Sequence, residues 1–348
     1  MTRALQSRAY WLVPCALTCA LLTGVPQRAR GADDPREWLE KMNKALATRN
    51  YDGTFFHLSG GRVETMRVVH RVRAGRVTER LQSLDGSGRE FVRANDELTC
   101  YLPDQHTVLV EPRQDRGPFL GSLPQFDASV ADFYRIEALP ATRILGRPAR
   151  VISVSPKDQF RFGYRLWLDE KTAMPLQTQL CDSRGQVIEQ IFFARLDMPK
   201  SIPDSDLAPT VRTEGMRWVR QGPSADSASA ALGAYRASQL PPGFRLTLQG
   251  AQTLGDASAP ASHLVYSDGL ATVSVFVEEQ RPASGAATAP DPQAEPPMQG
   301  LARVGSGYAF STVVQGHQVT AVGEVPAQTV EFIAHSVKIY SGTELPRH

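Results

Sequence analysis

The sequence predicts a mainly β protein with helices, of the α+β class: a large unclosed antiparallel β-barrel domain followed by a smaller α+β domain. Three observations carry this expectation. Runs rich in β-branched and aromatic residues recur from Tyr51 to Leu196, punctuated by Gly-Gly, Ala-Gly, Asp-Gly-Ser-Gly, Asn-Asp and Pro-Asp turn signals. A Pro- and Ser-rich stretch around residues 199–229 then breaks the pattern. The length, 348 residues, exceeds the roughly 100–200 residues of one usual domain.

The chain opens with a segment that belongs to neither domain. Arg3 and Arg8 precede an uncharged, mostly apolar run from Ala9 to Val25, and Ala29 and Gly31 are spaced like a signal-peptidase site. Residues 1–31 are therefore expected to be a cleavable export signal. A membrane anchor is disfavoured, because the run falls short of the ~20 apolar residues that span a bilayer and contains Pro14. Neither Cys15 nor Cys19 sits in the small-residue pattern of a lipoprotein anchor. Removing the segment takes away Arg3, Arg8, Arg28 and Arg30 and no acid, so the formal charge falls from +2 to −2. A nearly neutral chain argues against nucleic acid as partner, since such affinity comes from a net basic face.

The first domain, expected over residues 32–202, begins with a helix. In "DDPREWLEKMNKAL", Asp34 is the N-cap, Pro35 takes the first helical position, Glu37 the capping-box position, and Trp38, Leu39, Met42, Ala45 and Leu46 form one stripe. Six strands follow, from "YDGTFFHLS" to "TVLVEP". In the second, Met66, Val68, His70 and Val72 alternate with Arg67, Arg71 and Arg73, so one side reads as apolar and the other as solvated. A helix is expected near "DASVADFYRIEAL", then four more strands, "ARVISVS", "FRFGYRLWLDE", "MPLQTQL" and "QVIEQIFFARL". Ten antiparallel strands with few helices give a large curved sheet or open barrel.

Residues 203–229 are expected to form a linker, interrupted by "RTEGMRWVRQ", which could dock on either side. The second domain, residues 230–348, has strands at "GFRLTLQG", "SHLVYSDGLATVSVFVEE", "GYAFSTVVQ" and "HQVTAVGEV", and a final helix from Pro326 with Val330, Ile333, Ala334 and Val337 on one face. Residues 281–299 are Pro/Ala-rich without hydrophobic period and read as a disordered insertion.

No motif for hydrolysis, nucleotide binding or metal binding is present, so the chain is not read as an enzyme and no cofactor or metal is expected. His57, His70, His106, His263, His317 and His335 are scattered singly. Asp169 and Glu170 close a strand at "LDEKTAMP"; neighbours on a strand point to opposite faces, so they read as hairpin chemistry and not as an acid/base pair. Along the same strand Phe160, Phe162, Tyr164, Leu166 and Leu168 share one face, opposite Arg161, Arg165 and Trp167. With Met66 and Val68, four of these (Phe162, Tyr164, Leu166 and Leu168) are the candidate lipid-binding residues; the spacing leaves a ligand cavity and a filled core equally open. The stripe Arg67, Arg71, Arg73, Arg76 and Arg80 reads as a solvated strand face, with lipid phosphate as the sharper alternative. Cys100 and Cys181 could be a bridge or two separate thiols.

The run "RFGYRLWLDEKTAMPLQTQLCDSRGQVIEQIFF" resembles the strand–turn–strand signature of periplasmic lipoprotein carriers of the LolA/LolB type. The whole mature chain resembles more closely the RseB/MucB family of periplasmic regulators of envelope-stress sigma factors, through "YDGTFFHLSGGRVETMRVVHRV", "GSLPQFDASVADFY", "LPPGF", "HLVYSDGLATVSVFVE" and "VTAVGEVPAQTVEFIAHSVK". The insertion and the two cysteines fall outside that pattern. The resemblance implies a periplasmic, non-enzymatic switch. Its half-barrel would have an apolar concavity, and its second domain would grip the periplasmic segment of an RseA/MucA-type membrane-anchored anti-sigma factor. Bound, such a protein would shield that factor from proteolysis, and lipopolysaccharide or mislocalised lipoprotein would release it. Under this reading Trp218 is a candidate hinge or docking anchor, and Phe244 and Tyr266 are candidate partner contacts, unless they only pack the small domain. The alternatives are a lipid or lipoprotein carrier without a regulatory partner and an exported hydrolase. Self-association is left open.

Overall fold

A computed structural model describes residues 34–94, 96–112, 126, 130–220, 235–252, 261–279 and 299–340. The expected export signal, linker residues 221–229 and residues 281–298 of the expected insertion lie outside the described residues. Among the described residues the first part of the chain forms helix α1 (Pro35–Thr48), capped by Asp34, whose carboxylate accepts the Arg36 N–H at 3.0 Å. All five stripe residues of α1 are buried.

One sheet then collects β1 (Tyr51–Ser59), β2 (Arg62–Arg73), β3 (Arg76–Ser83), β4 (Glu90–Ala94), β5 (Glu97–Leu102), β6 (Thr107–Pro112), β7 (Tyr134–Ile144), β8 (Arg147–Pro156), β9 (Gly163–Asp169), β10 (Pro175–Cys181), β11 (Val187–Asp197) and β12 (Arg217–Arg220). Their order is β12-β6-β5-β4-β3-β2-β1-β11-β10-β9-β8-β7. Two meanders thus meet where β1 pairs with both β2 and β11, which puts the aromatic pairs Phe55/Phe193 and Phe56/Phe192 across the join. The β1–β2 turn is Gly60–Gly61, both at positive φ, the conformation a two-residue hairpin of matching twist requires.

The sheet differs from expectation at both edges. The helix expected over "DASVADFYRIEAL" shrinks among its described residues to one turn, α2 (Val130–Phe133), and β7 takes over at Tyr134, paired with β8 from Tyr134↔Pro156 to Ile144↔Arg147. Pro140 masks this strand in the sequence. Proline lacks the ladder donor and is tolerated here because β7 is an edge strand whose register shifts between Leu139 and Thr142. At the other edge "RWVR" becomes β12, parallel to β6 with Trp218 opposite Val108.

The concave face is filled. Trp38, Leu39, Met42 and Leu46 of α1 pack with Phe126 against Tyr51, Phe55, Val68, Leu166, Leu168, Met174 and Leu176. Fully burying a side chain such as Leu39 or Met42 contributes roughly 1.5–3 kcal/mol, so α1 is held by its stripe more than by its own hydrogen bonds. The convex face is less wet than β2 suggested. Residues 199–216 are strapped across it: Val69 is buried against Ile202 and Leu207, the latter in the short α3 (Asp204–Leu207). Arg71 pairs with the exposed Asp204 at 2.5 Å, and the buried Arg80 pairs with the buried Glu90 at 2.9 Å. Thr210 in turn donates its backbone N–H to Glu90 at 3.1 Å. Most of the basic stripe is therefore occupied: Arg67 is bidentate to Asp52, and Arg73 and Arg76 remain exposed.

The second part contains β13 (Tyr235–Ala237), β14 (Arg245–Gln252), β15 (Ala261–Ser267), β16 (Thr272–Glu279), β17 (Gly300–Val304), β18 (Gly307–Val314), β19 (His317–Gly323), α4 (Ala327–Ser336) and β20 (Val337–Ile339). Six strands are ordered β14-β15-β16-β19-β18-β17, and β13 pairs with β20. The long expected strand "SHLVYSDGLATVSVFVEE" is a hairpin, β15 and β16 joined through Asp268–Ala271. Val330, Ile333 and Ala334 of α4 and Val337 bury against Leu264, Val275, Val319 and Ala321.

Candidate functional site at the domain junction

The segment 157–162 between β8 and β9 leaves the first domain and enters the second. Asp158 bends it by accepting the Phe160 N–H at 2.9 Å. The strand expected to start at Phe160 begins only at Gly163, where a Cβ would lie 2.7 Å from the Val154 carbonyl oxygen. The bend alters two assignments. Phe160 packs edge-on against Phe332 of α4 at 5.7 Å, and its carbonyl accepts the Thr329 hydroxyl at 2.8 Å. Arg161, expected on an outward strand face, is fully buried.

Arg161 is the centre of the junction. Its Nε donates to Asp158 at 3.0 Å, Nη1 to Asp268 Oδ2 at 2.6 Å, and Nη2 to the Pro242 carbonyl at 2.5 Å. The guanidinium lies 4.9 Å from the Phe133 ring centre, 5.5 Å from Tyr134 and 5.3 Å from Phe244. Asp268 is equally well matched. Its Oδ1 accepts the Leu270 and Ala271 N–H groups at 2.8 and 2.7 Å, and Oδ2 accepts the Tyr134 hydroxyl at 3.1 Å. Burial holds the Tyr134 phenol well above its ordinary range, so it remains a donor to Asp268. A buried ion pair is tolerated only when the remaining donors and acceptors are met, and here they are. Gly243 closes the box: at φ +82, with the Phe133 ring 2.4 Å from where its Cβ would stand, no other residue fits.

Apolar contacts continue the junction. Leu270 of the second domain joins the first domain's core, and Tyr308 packs against both cores. Further along lies a group of acids. Glu324, bonded by the Ser306 hydroxyl, is pushed up to about 7, first by burial and then by repulsion from Glu189 of β11. His57 Nε2 stands 3.3 Å from Glu189 and its Nδ1 3.8 Å from Glu64, and hydrogen bonding to Glu189 raises the imidazole above its ordinary value.

The candidate residues divide into three groups. Met66, Val68, Phe162, Tyr164, Leu166 and Leu168 are brought together, all buried, in the core beneath α1. Phe244 and Tyr266 are buried in the second domain. Phe244 faces Arg161, while the Tyr266 hydroxyl accepts the Ala237 N–H at 2.7 Å. Trp218 stands apart on β12, 57% exposed. Asp169 organises its turn by accepting from Lys171, Thr172 and Arg147, while Glu170 lies 3.8 Å from Arg150. Cys100 and Cys181 are buried thiols on β5 and β10, strands six places apart in the sheet, with no disulfide between them. Among the described residues no three His, Cys, Asp or Glu side chains converge as a metal site. Among the described residues no helix is long and apolar enough to cross a membrane. Arg161 and Asp268 escaped the sequence reading. Their one signal is a lone charge inside each of two apolar runs, "FRFGY" and "VYSDGLA".

A large helix-filled open sheet, riveted through a buried Arg–Asp pair to a small α+β domain, defines a two-domain binding protein without a catalytic constellation among its described residues. The MucB/RseB N-terminal domain model matches residues 34–211 and the MucB/RseB C-terminal domain model residues 229–338, so the chain belongs to the MucB/RseB family. It is 33% identical over 325 residues to the sigma factor AlgU regulatory protein MucB of Pseudomonas aeruginosa, covering 91% of this chain and 94% of that protein. It is 25% identical over 334 residues to the sigma-E factor regulatory protein RseB of Escherichia coli K12, covering 94% and 97%. Among solved structures, the Pseudomonas aeruginosa MucA/MucB complex aligns with TM-score 0.66 and 28% identity over 89% of this chain and 100% of that chain. A crystal structure of MucB aligns with TM-score 0.60 and 30% identity over 89% of this chain and 99% of that chain. The family is one of regulatory binding proteins.

Proposed function

We propose that the chain is a periplasmic negative regulator of a sigma-E-type envelope-stress response. It binds the periplasmic segment of a membrane-anchored anti-sigma factor, shields that segment from regulated proteolysis, and is released by lipopolysaccharide or a lipoprotein. It acts by binding and not by catalysis. The observation that carries the reading is similarity along both domains to MucB, a protein solved in complex with the periplasmic part of MucA.

The junction gives the reading a physical basis. A ligand shifts a two-state equilibrium only by its differential affinity for the two states, so lipid and partner sites need a connection. Residues 199–216, which pack against Val69 of the large sheet, offer one route; the Arg161–Asp268 contact is a second and more direct one. The lipid face, Met66 to Leu168, lies under α1 and becomes accessible to an acyl chain if α1 lifts. Trp218, at the surface, is the proposed direct partner contact; Phe244 and Tyr266, buried in the second domain, would meet a partner only through a rearrangement of that domain.

Protease protection tests the shielding step. The cognate periplasmic segment is digested by its site-1 protease with the mature chain present, then with lipopolysaccharide added. Protection that lipopolysaccharide abolishes supports the proposal; digestion at an unchanged rate with the mature chain present rejects shielding.

A further inference from the structure

A cleft of 670 Å³ lies between the C-terminal half of α1 and the β9–β10 turn. Four cations line it, Lys41, Lys44, Arg49 and Lys171, against one acid, Glu170. The acid is met by Arg150 at 3.8 Å, and Lys41 is met by Glu37 at 3.4 Å. For Lys44, Arg49 and Lys171 no carboxylate stands within ion-pair distance among the described residues, and all three are exposed. Trp38 lines the inner wall, 6% exposed, and its indole N–H has no hydrogen-bond partner among the described residues. Trp38, Ala45 and Ala173, which line the same cleft, are members of the first domain's core. The cleft is therefore a basic rim over an apolar entrance to the space between α1 and the sheet.

We propose that this cleft holds the phosphate group of an amphiphile whose acyl chain enters beneath α1. The inference rests on the lipid-responsive reading above and gives it a place and a headgroup chemistry. A phosphate monoester carries about −1.5 to −2 charges near pH 7 and three acceptor oxygens, which suits three unpaired cations better than a single carboxylate does. Lysines on flexible stems act as point charges on such a group, and Arg49 adds a planar fork. A tail wedged beside Trp38 competes with the α1 stripe for the sheet, so headgroup capture and helix displacement become one event.

The test is equilibrium binding of lipopolysaccharide, intact and enzymatically dephosphorylated, to the mature chain and to Lys44→Glu/Lys171→Glu. A Lys44→Gln/Lys171→Gln variant serves if charge reversal disturbs folding. Both lysines are exposed, so thermal midpoints should match the unsubstituted chain. Dephosphorylation should weaken binding to the unsubstituted chain about tenfold or more, since charged hydrogen bonds are lost. The variant should bind the intact form as weakly and gain nothing further from the phosphates. Equal binding of intact lipopolysaccharide by chain and variant overturns the site while leaving the lipid reading in place. Absence of binding to the unsubstituted chain overturns both. Inorganic phosphate is the third probe: binding as tight as that of lipopolysaccharide shows a site for the free anion and removes the tail from the proposal.

Discussion

Replacing Arg161 by methionine should separate the two domains energetically. The substitution keeps an apolar stem among Phe133, Tyr134 and Phe244 but removes the guanidinium from Asp268, Asp158 and the Pro242 carbonyl. Removing one partner of a buried pair costs about 3–5 kcal/mol, because the other charge stays buried. Asp268 retains two backbone N–H donors and the Tyr134 hydroxyl, which places the loss near the lower end. About 3 kcal/mol is a factor of roughly 150 in the equilibrium between joined and separated domains. The assay is urea unfolding of the mature chain followed by two signals. Its tryptophans, Trp38, Trp167 and Trp218, all lie on α1 and the large sheet, so fluorescence reports the first domain, while far-ultraviolet circular dichroism reports both. The two signals should coincide in the unsubstituted chain and diverge in Arg161→Met, dichroism changing first as the second domain melts alone. Adding Asp268→Asn should cost less than in the presence of Arg161, since a neutral amide no longer strands a charge. Coincident transitions with a loss below about 1 kcal/mol would refute the junction as described.

Gly243→Ala, strained by φ +82 and by the Phe133 ring, should lower the thermal midpoint far more than Gly60→Ala, which has positive φ but open space; equal shifts would show that the ring does not matter. Acid dependence involves two opposed groups. Glu324, raised to about 7, gives stability that is complete below its unfolded value near 4.5 and lost as pH rises through 7. His70, lowered to about 4 by burial, gives stability that is complete above about 6.5 and lost as pH falls through 4. Their effects offset each other between about pH 4.5 and 6.5, so the Glu324→Gln stability profile should fall more steeply than the parent's on acidification, by up to about 3 kcal/mol. Parallel profiles would exclude Glu324 as the titrating group. The connection from β16 to β17 crosses three strand spacings, about 14 Å, because β19 and β18 lie between them. Deleting residues 285–294 should therefore preserve folding and partner binding, whereas deleting all of 281–299 leaves too little chain to reach, and the second domain should lose β17 pairing; a normal fold after the full deletion would contradict the strand order.

Much of the fold was legible because its causes are local. The α1 stripe from Trp38 to Leu46, the Gly60–Gly61 turn and the alternation of Met66 and Val68 each follow from neighbouring residues, and each appears where expected. What escaped depends on distant partners. Strand β12 is four residues in a polar stretch and exists through pairing with β6; β7 was hidden by a proline that only an edge strand accepts. Arg161 looked like the outward side of a strand because alternation says nothing about a bend at Asp158 or about a carboxylate at residue 268. The proposed lipid face shows the same limit from the other side: spacing identified the apolar residues, and only the packing of α1 and Phe126 shows that they are covered.

The most direct test of the regulator account is titration calorimetry of the mature chain with the periplasmic segment of its cognate anti-sigma factor, with and without lipopolysaccharide. The account predicts tight binding that lipopolysaccharide weakens, with the weakening reduced in Arg161→Met because its domains are no longer coupled. Absence of binding, or binding that lipopolysaccharide leaves unchanged, would contradict it.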